Sequence, residues 1–123
     1  MIKNSDDKYI ITGGTPLKGE VSIGGAKNAV LKLMAAAILA KGETLIHNVP
    51  DLTDVEIMLN VIEQLGTKTH YDKINKTVTI DATDITSVTA KYELVSKMRA
   101  SFIILGALVS RCKEAIVALP GGC

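Results

Sequence analysis

Four residues stand where side-chain chemistry is available: Lys27, Asn28, Arg99 and Cys123. Lys27 and Asn28 close the pentapeptide Gly24-Gly25-Ala26-Lys27-Asn28, which joins an alternating segment to a run of helix formers. Backbone N–H groups at the start of a helix, reached closely because glycine has no Cβ, form an anion site. Lys27 would add a full positive charge there, and Asn28 an amide that both donates and accepts. The glycine spacing matches neither a Walker loop nor a dinucleotide fingerprint. An ordinary glycine turn is the commoner origin of such a pair. Arg99 has Val95 and Ile103 as its i±4 neighbours, so its guanidinium must reach water, a carboxylate or a ligand phosphate. A structural ion pair is the commoner explanation of such an arginine. Cys123 follows Pro120-Gly121-Gly122, a flexible setting where a thiol serves as acid or nucleophile if nearby cations lower its pKa. Cys112, at the end of an apolar stretch, reads instead as a small buried hydrophobe. His47 and His70 lack metal-ligand spacing and read as structural, and Thr53 and Glu56 as helix caps.

Composition narrows the class of chemistry. The chain has 123 residues, room for one ordinary domain, and with 47% hydrophobic and 22% charged residues it can bury a core. Aromatics are only 3% and the net charge is +1, so neither stacking rings nor a basic stripe is available to hold a nucleic acid. The two cysteines fit no zinc pattern and are too few for a disulfide scaffold. The polar start Met1-Ile2-Lys3-Asn4-Ser5-Asp6-Asp7-Lys8 lacks the apolar stretch of a signal peptide. The apolar run 102–109 is far shorter than the ~20 residues that span a bilayer. A cytoplasmic protein with no membrane or nucleic-acid partner, no metal and no cofactor is expected.

The elements that must position the four residues follow from periodicity and punctuation. Residues 9–11 and the alternating residues 19–23 read as strands, separated by the glycine- and proline-containing turn 12–16. Residues 27–40 read as a helix in which Lys32 is the one polar residue after Asn28, so it should be buried on most sides. Residues 43–47 form a strand, with Pro50 at its exit. Thr53 and Glu56 make a capping-box signature, with Leu52 and Ile57 at the positions of a hydrophobic staple. Val55, Met58, Leu59, Ile62 and Leu65 then recur at helical spacing until Gly66. Residues 67–71 and 77–80 read as a hairpin around the loop 72–76. A helix over 92–111 would place Leu94, Met98, Phe102, Leu105 and Val109 on one stripe, and 114–119 is a last strand. The greasiest elements are helices, while the hairpin carries polar residues on one face. An α/β fold with helices inside and sheets outside follows, the reverse of a doubly wound sheet.

Five blocks stand in order along the chain: Pro16-Leu17-Lys18-Gly19, Gly25-Ala26-Lys27-Asn28-Ala29, His47-Asn48-Val49-Pro50-Asp51-Leu52, Lys97-Met98-Arg99-Ala100-Ser101 and Leu119-Pro120-Gly121-Gly122-Cys123. Together they resemble the N-terminal portion of the UDP-N-acetylglucosamine 1-carboxyvinyltransferase family, a branch of the enolpyruvyl transferases. The related enolpyruvylshikimate phosphate synthases are a weaker match, with serine where Asn28 follows Lys27 and no Pro-Gly-Gly-Cys loop. The resemblance implies an inside-out α/β barrel, helices enclosed by sheets, present here as a partial domain. Residues 27–123 would be the first part of the loop-bearing domain, ending at the active-site loop. Residues 1–26 would be a strand segment that packs with a second domain outside this chain.

Chemically, the resemblance implies transfer of enolpyruvyl from phosphoenolpyruvate to the 3′-hydroxyl of UDP-N-acetylglucosamine, the first committed step of peptidoglycan synthesis. Addition would be followed by elimination of phosphate. Lys27 matches the lysine that contacts phosphoenolpyruvate, Asn28 the neighbouring asparagine at the substrates, and Arg99 the arginine at the sugar nucleotide. Cys123 matches the loop cysteine, general acid and site of alkylation by fosfomycin. Two departures stand out. Lys32 occupies a position where family members often have proline, and family chains are much longer. The arginine after the loop cysteine, the aspartate base and most of the second domain would come from the remainder of the enzyme, in the same or a separate chain. Residues 1–123 alone are expected to be inactive. A non-catalytic piece that at most binds sugar nucleotide weakly is the alternative, and a thiol redox or metal module would rest on Cys112 and Cys123 alone.

Overall fold

The computed structural model describes residues 8–91, 93 and 102–118. The expected helix at Lys27 forms as α1, Lys27–Ala37, entered from an extended Ala26 (φ −83°, ψ 128°). It stops short of Ala40 because its last turn tightens. Ile38, Leu39 and Ala40 donate their N–H groups to Ala35, Ala36 and Ala37, each three residues back. Gly42, at φ 125°, then turns the chain into β1, Glu43–Ile46.

The second helix, α2, spans Thr53–Glu63. Its capping differs from the expected box: Leu52 holds the N-cap position with no side-chain cap bond, Thr53 is already helical, and Glu56 is drawn to Lys73. At the other end Gly66 does what its position suggested. Its φ is 93°, its N–H bonds to Glu63, and a Cβ would meet Thr86 Oγ1 at 2.1 Å. The buried Thr67 hydroxyl closes the end by donating to the carbonyl of Ile62.

The hairpin forms as read, β2 over Lys68–Asp72 and β3 over Thr77–Asp81, paired antiparallel. Its loop is tied by Asn75, whose N–H and amide both bond to the Asp72 carboxylate. With β1 added on the other side of β3, the sheet order is β1-β3-β2. Register aligns Ile46, Val78 and Tyr71 across one face, with Thr44, Ile80 and Thr69 beside them. That face covers the helices, and Glu43, Lys68, Thr79 and Asp81 alternate outward.

Two findings depart from sequence expectation in the C-terminal part. The described helix α3 is Ile104–Cys112, and it buries Ile104, Ala107 and Leu108 rather than Phe102 and Val109, which are exposed. Residues 102–109 are an unbroken apolar run, and within such a run periodicity has no polar position with which to choose a face. The last strand is the short β5, Ile116–Val117, in parallel with β4, Thr89–Ala90, which the sequence did not mark. Cys112, expected to be buried, is only half-buried, packed against the edge of the core.

The core gathers Leu31 and Met34 of α1 with Ile38 just after it, Met58 and Ile62 of α2, Ile80 of the sheet, and Ile104 and Leu108 of α3. One side of α1 and of the turn that follows it stays open, however, with Leu33 53% and Leu39 51% exposed. Residues 9–11 and 19–23 form no strand: Tyr9, Ile10, Ile11, Val21 and Ile23 lie in solvent. Alternation specifies which face a strand would bury, but a strand needs a neighbour to bond, and among the described residues no strand pairs with these segments.

Candidate active site

The site is built on the junction between the start of α1 and the loop that leaves β1. Gly25 lies so close to that loop that a Cβ would meet the Asn48 carbonyl oxygen at 1.8 Å and Pro50 Cδ at 3.3 Å. Gly24, one residue earlier, has nothing within 4 Å. The loop is fixed from its far side. Val49 is fully buried and its N–H bonds to the Lys76 carbonyl at 2.8 Å, while the Tyr71 hydroxyl donates to the Pro50 carbonyl at 2.9 Å. Asn48 takes the left-handed conformation, φ 57°, and its amide reaches the Ile23 carbonyl at 3.5 Å.

This contact brings the first turns of α1 and α2 together. Lys27, the first residue of α1, places its ammonium 2.9 Å from Oδ2 of Asp54, in the first turn of α2. Asn28 follows and is exposed. The first turn of α1 has no acidic residue and no side-chain cap. Ala29 and Val30 donate to the Ala26 carbonyl, which leaves the N–H groups of Lys27 and Asn28 beside an ammonium and an amide, a combination chemically suited to an anion. Sequence reading supplied Lys27 and Asn28 but missed Asp54, whose neighbours Thr53 and Glu56 it assigned to capping. Arg99 and Cys123 lie outside the described residues.

Behind the loop, Lys73 bridges Asp51 at 2.9 Å and Glu56 at 2.5 Å, and lies over the Tyr71 ring. The bond to Glu56, then that to Asp51, holds the Lys73 ammonium well above the ordinary lysine range. Burial, then the Asp51 carboxylate, pushes the Tyr71 phenol up. Both groups thus stay in the forms that tie the hairpin to residues 50–56. His70 and Glu63 line a neighbouring groove of about 460 Å³ between α2 and β2. Among the described residues, no cluster of three or more histidine, cysteine, aspartate or glutamate side chains could hold a metal ion.

Fold and sequence together define a class. The family model for EPSP synthase (3-phosphoshikimate 1-carboxyvinyltransferase) matches residues 11–123, and the chain belongs to that family, the enolpyruvyl transferases. Within it, the chain is 52% identical over 113 residues to the UDP-N-acetylglucosamine 1-carboxyvinyltransferase of Dichelobacter nodosus, covering 92% of this chain. It is 49% identical over 117 residues to the enzyme of that name from Methylacidiphilum infernorum. The crystal structure of the enolpyruvyl transferase NikO from Streptomyces tendae superposes with a TM-score of 0.68 at 32% identity, over 80% of this chain and 23% of that one. The chain spans about 27% of the length of the curated relatives it matches.

Proposed function

We propose that this chain is the N-terminal part of an enzyme that transfers enolpyruvyl from phosphoenolpyruvate to the 3′-hydroxyl of UDP-N-acetylglucosamine. The observation that carries the reading is the near-50% identity to transferases of that name over more than nine-tenths of the chain. The start of α1 agrees with it, since two anionic substrates need cations and amides already in place. Lys27 would hold the phosphoenolpyruvate phosphate against the N–H groups of α1, with Asn28 as the polar contact beside it. Arg99 would serve the sugar nucleotide. Cys123 would deliver a proton to the methylene carbon of phosphoenolpyruvate, while a carboxylate outside this chain takes the proton of the 3′-hydroxyl. No cofactor or metal enters this chemistry.

The same reading accounts for the apolar side chains left in solvent. Tyr9, Ile10, Ile11, Val21 and Ile23 would become strand residues on a second domain, and the open face of α1 would be enclosed within an inside-out barrel. The test is a chimera of residues 1–123 with the remainder of the Dichelobacter nodosus relative. Phosphate release from phosphoenolpyruvate that requires UDP-N-acetylglucosamine is expected from the chimera and not from residues 1–123 alone. A folded chimera that binds both substrates without releasing phosphate would refute the reading, and turnover by residues 1–123 alone would refute the division of labour.

A further inference from the structure

We propose that Asp54 is a positioning residue, holding the Lys27 ammonium at the start of α1 ready for its anionic substrate. The inference rests on the assignment of Lys27 to phosphoenolpyruvate. Three observations carry it. Lys27 and Asp54 are paired at 2.9 Å with side chains 50% and 34% exposed, so the ammonium is held yet reachable. The Gly25–Asn48 approach fixes the two helix starts relative to each other, so the pair does not depend on loose loops. No acidic residue of the first turn of α1 could do the same work.

Lysine has a flexible four-carbon stem and three N–H donors. One donor spent on Asp54 leaves two for a phosphate, and ordering the stem beforehand removes a cost from binding. Asp54 also carries a negative charge that repels the incoming anion. Both groups reach solvent, which screens that repulsion, whereas the orienting bond is short and specific. Orientation therefore outweighs repulsion, and losing the Asp54 charge should weaken phosphoenolpyruvate binding.

The experiment uses the chimera, with steady-state kinetics and isothermal titration of phosphoenolpyruvate in the presence of UDP-N-acetylglucosamine, the titration requiring no turnover. Asp54→Asn should raise KM and Kd for phosphoenolpyruvate roughly three- to tenfold, the range for a part-exposed charged contact. KM for UDP-N-acetylglucosamine should stay within about twofold. Asp54→Glu should recover much of the loss, and Asp54→Asn should add nothing in a Lys27→Ala background. An unchanged or lower phosphoenolpyruvate KM and Kd in Asp54→Asn, with Lys27→Ala impaired, would overturn this inference alone. So would a loss of thermal stability with both KM values intact. An unimpaired Lys27→Ala would overturn the assignment of Lys27 and the inference with it.

Discussion

Alanine at position 25 would set a methyl carbon 1.8 Å from the Asn48 carbonyl oxygen, far inside the 3.0 Å that real Cβ contacts keep. What it meets is backbone, not the yielding end of a side chain. Relief requires residues 48–50 to retreat by more than an ångström, and that retreat is opposed. Val49 is fully buried, its N–H is bonded to Lys76, and the Pro50 carbonyl is bonded to Tyr71. Overpacking costs about 1–3 kcal/mol, and each of the two hydrogen bonds put at risk is worth about 1 kcal/mol. Against this, Gly25 is not in the left-handed region, so alanine restricts the unfolded chain and returns about 0.4–1 kcal/mol. The net destabilisation of Gly25→Ala should be about 2–4 kcal/mol. Urea titration followed by far-ultraviolet circular dichroism measures it, with Gly24→Ala as the control. Nothing lies within 4 Å of a Cβ at Gly24, so that variant should stay within about 0.5 kcal/mol of the parent. Equal urea midpoints for the two variants would refute the claim that the loop packs directly on Gly25.

Arg111 donates to the carbonyls of Ile38, Ala40 and Thr83, closing the end of α1 against the segment after β3. Arg111→Lys should recover less than half of the about 1.5–3 kcal/mol that Arg111→Ala should cost in thermal unfolding, because the three acceptors are served by two separate guanidinium nitrogens and a single ammonium nitrogen does not span them. The Asp72 carboxyl is held below its ordinary 3.8 by the Asn75 N–H and then by the Asn75 amide. Its folded value is depressed, so the stabilisation is present above pH 3.8 and is lost as pH falls through the lower folded value. Asp72→Ala should therefore be less stable than the parent at neutral pH and converge with it in acid, and parallel stability–pH curves would contradict this. In the chimera, fosfomycin should modify Cys123 and leave Cys112 unmodified, and peptide mapping by mass spectrometry reads the position of the adduct directly.

How much was legible depended on whether the information was local. The hairpin could be read because alternation, an Asp-containing loop and a second alternating run occur within a few residues, and β2 and β3 formed where they pointed. The start of α1 and the stop at Gly66 were legible for the same reason. The facing of α1 and α3 was not, since both are dominated by apolar residues and too few polar positions remain to mark an outside stripe. Residues 19–23 carried a strand pattern that stayed unpaired, because pairing belongs to the partner as much as to the segment. The ladder between Thr89–Ala90 and Ile116–Val117 is too short to leave any period.

The candidate site divides along the same line. Lys27 and Asn28 announced themselves by type and by their place after two glycines, but those glycines look alike in the sequence and differ completely in space. A Cβ at Gly24 would touch nothing within 4 Å, while one at Gly25 would collide with the closely approaching backbone after β1. Asp54 lies 27 residues from Lys27 along the chain, hidden among capping signals, and becomes its partner because that approach is made. The sequence therefore displays the donors an anion would need, and their mutual geometry is set by a contact between two loops that no local pattern encodes. A change at Gly25 should for this reason reach the chemistry of Lys27 without touching the lysine itself.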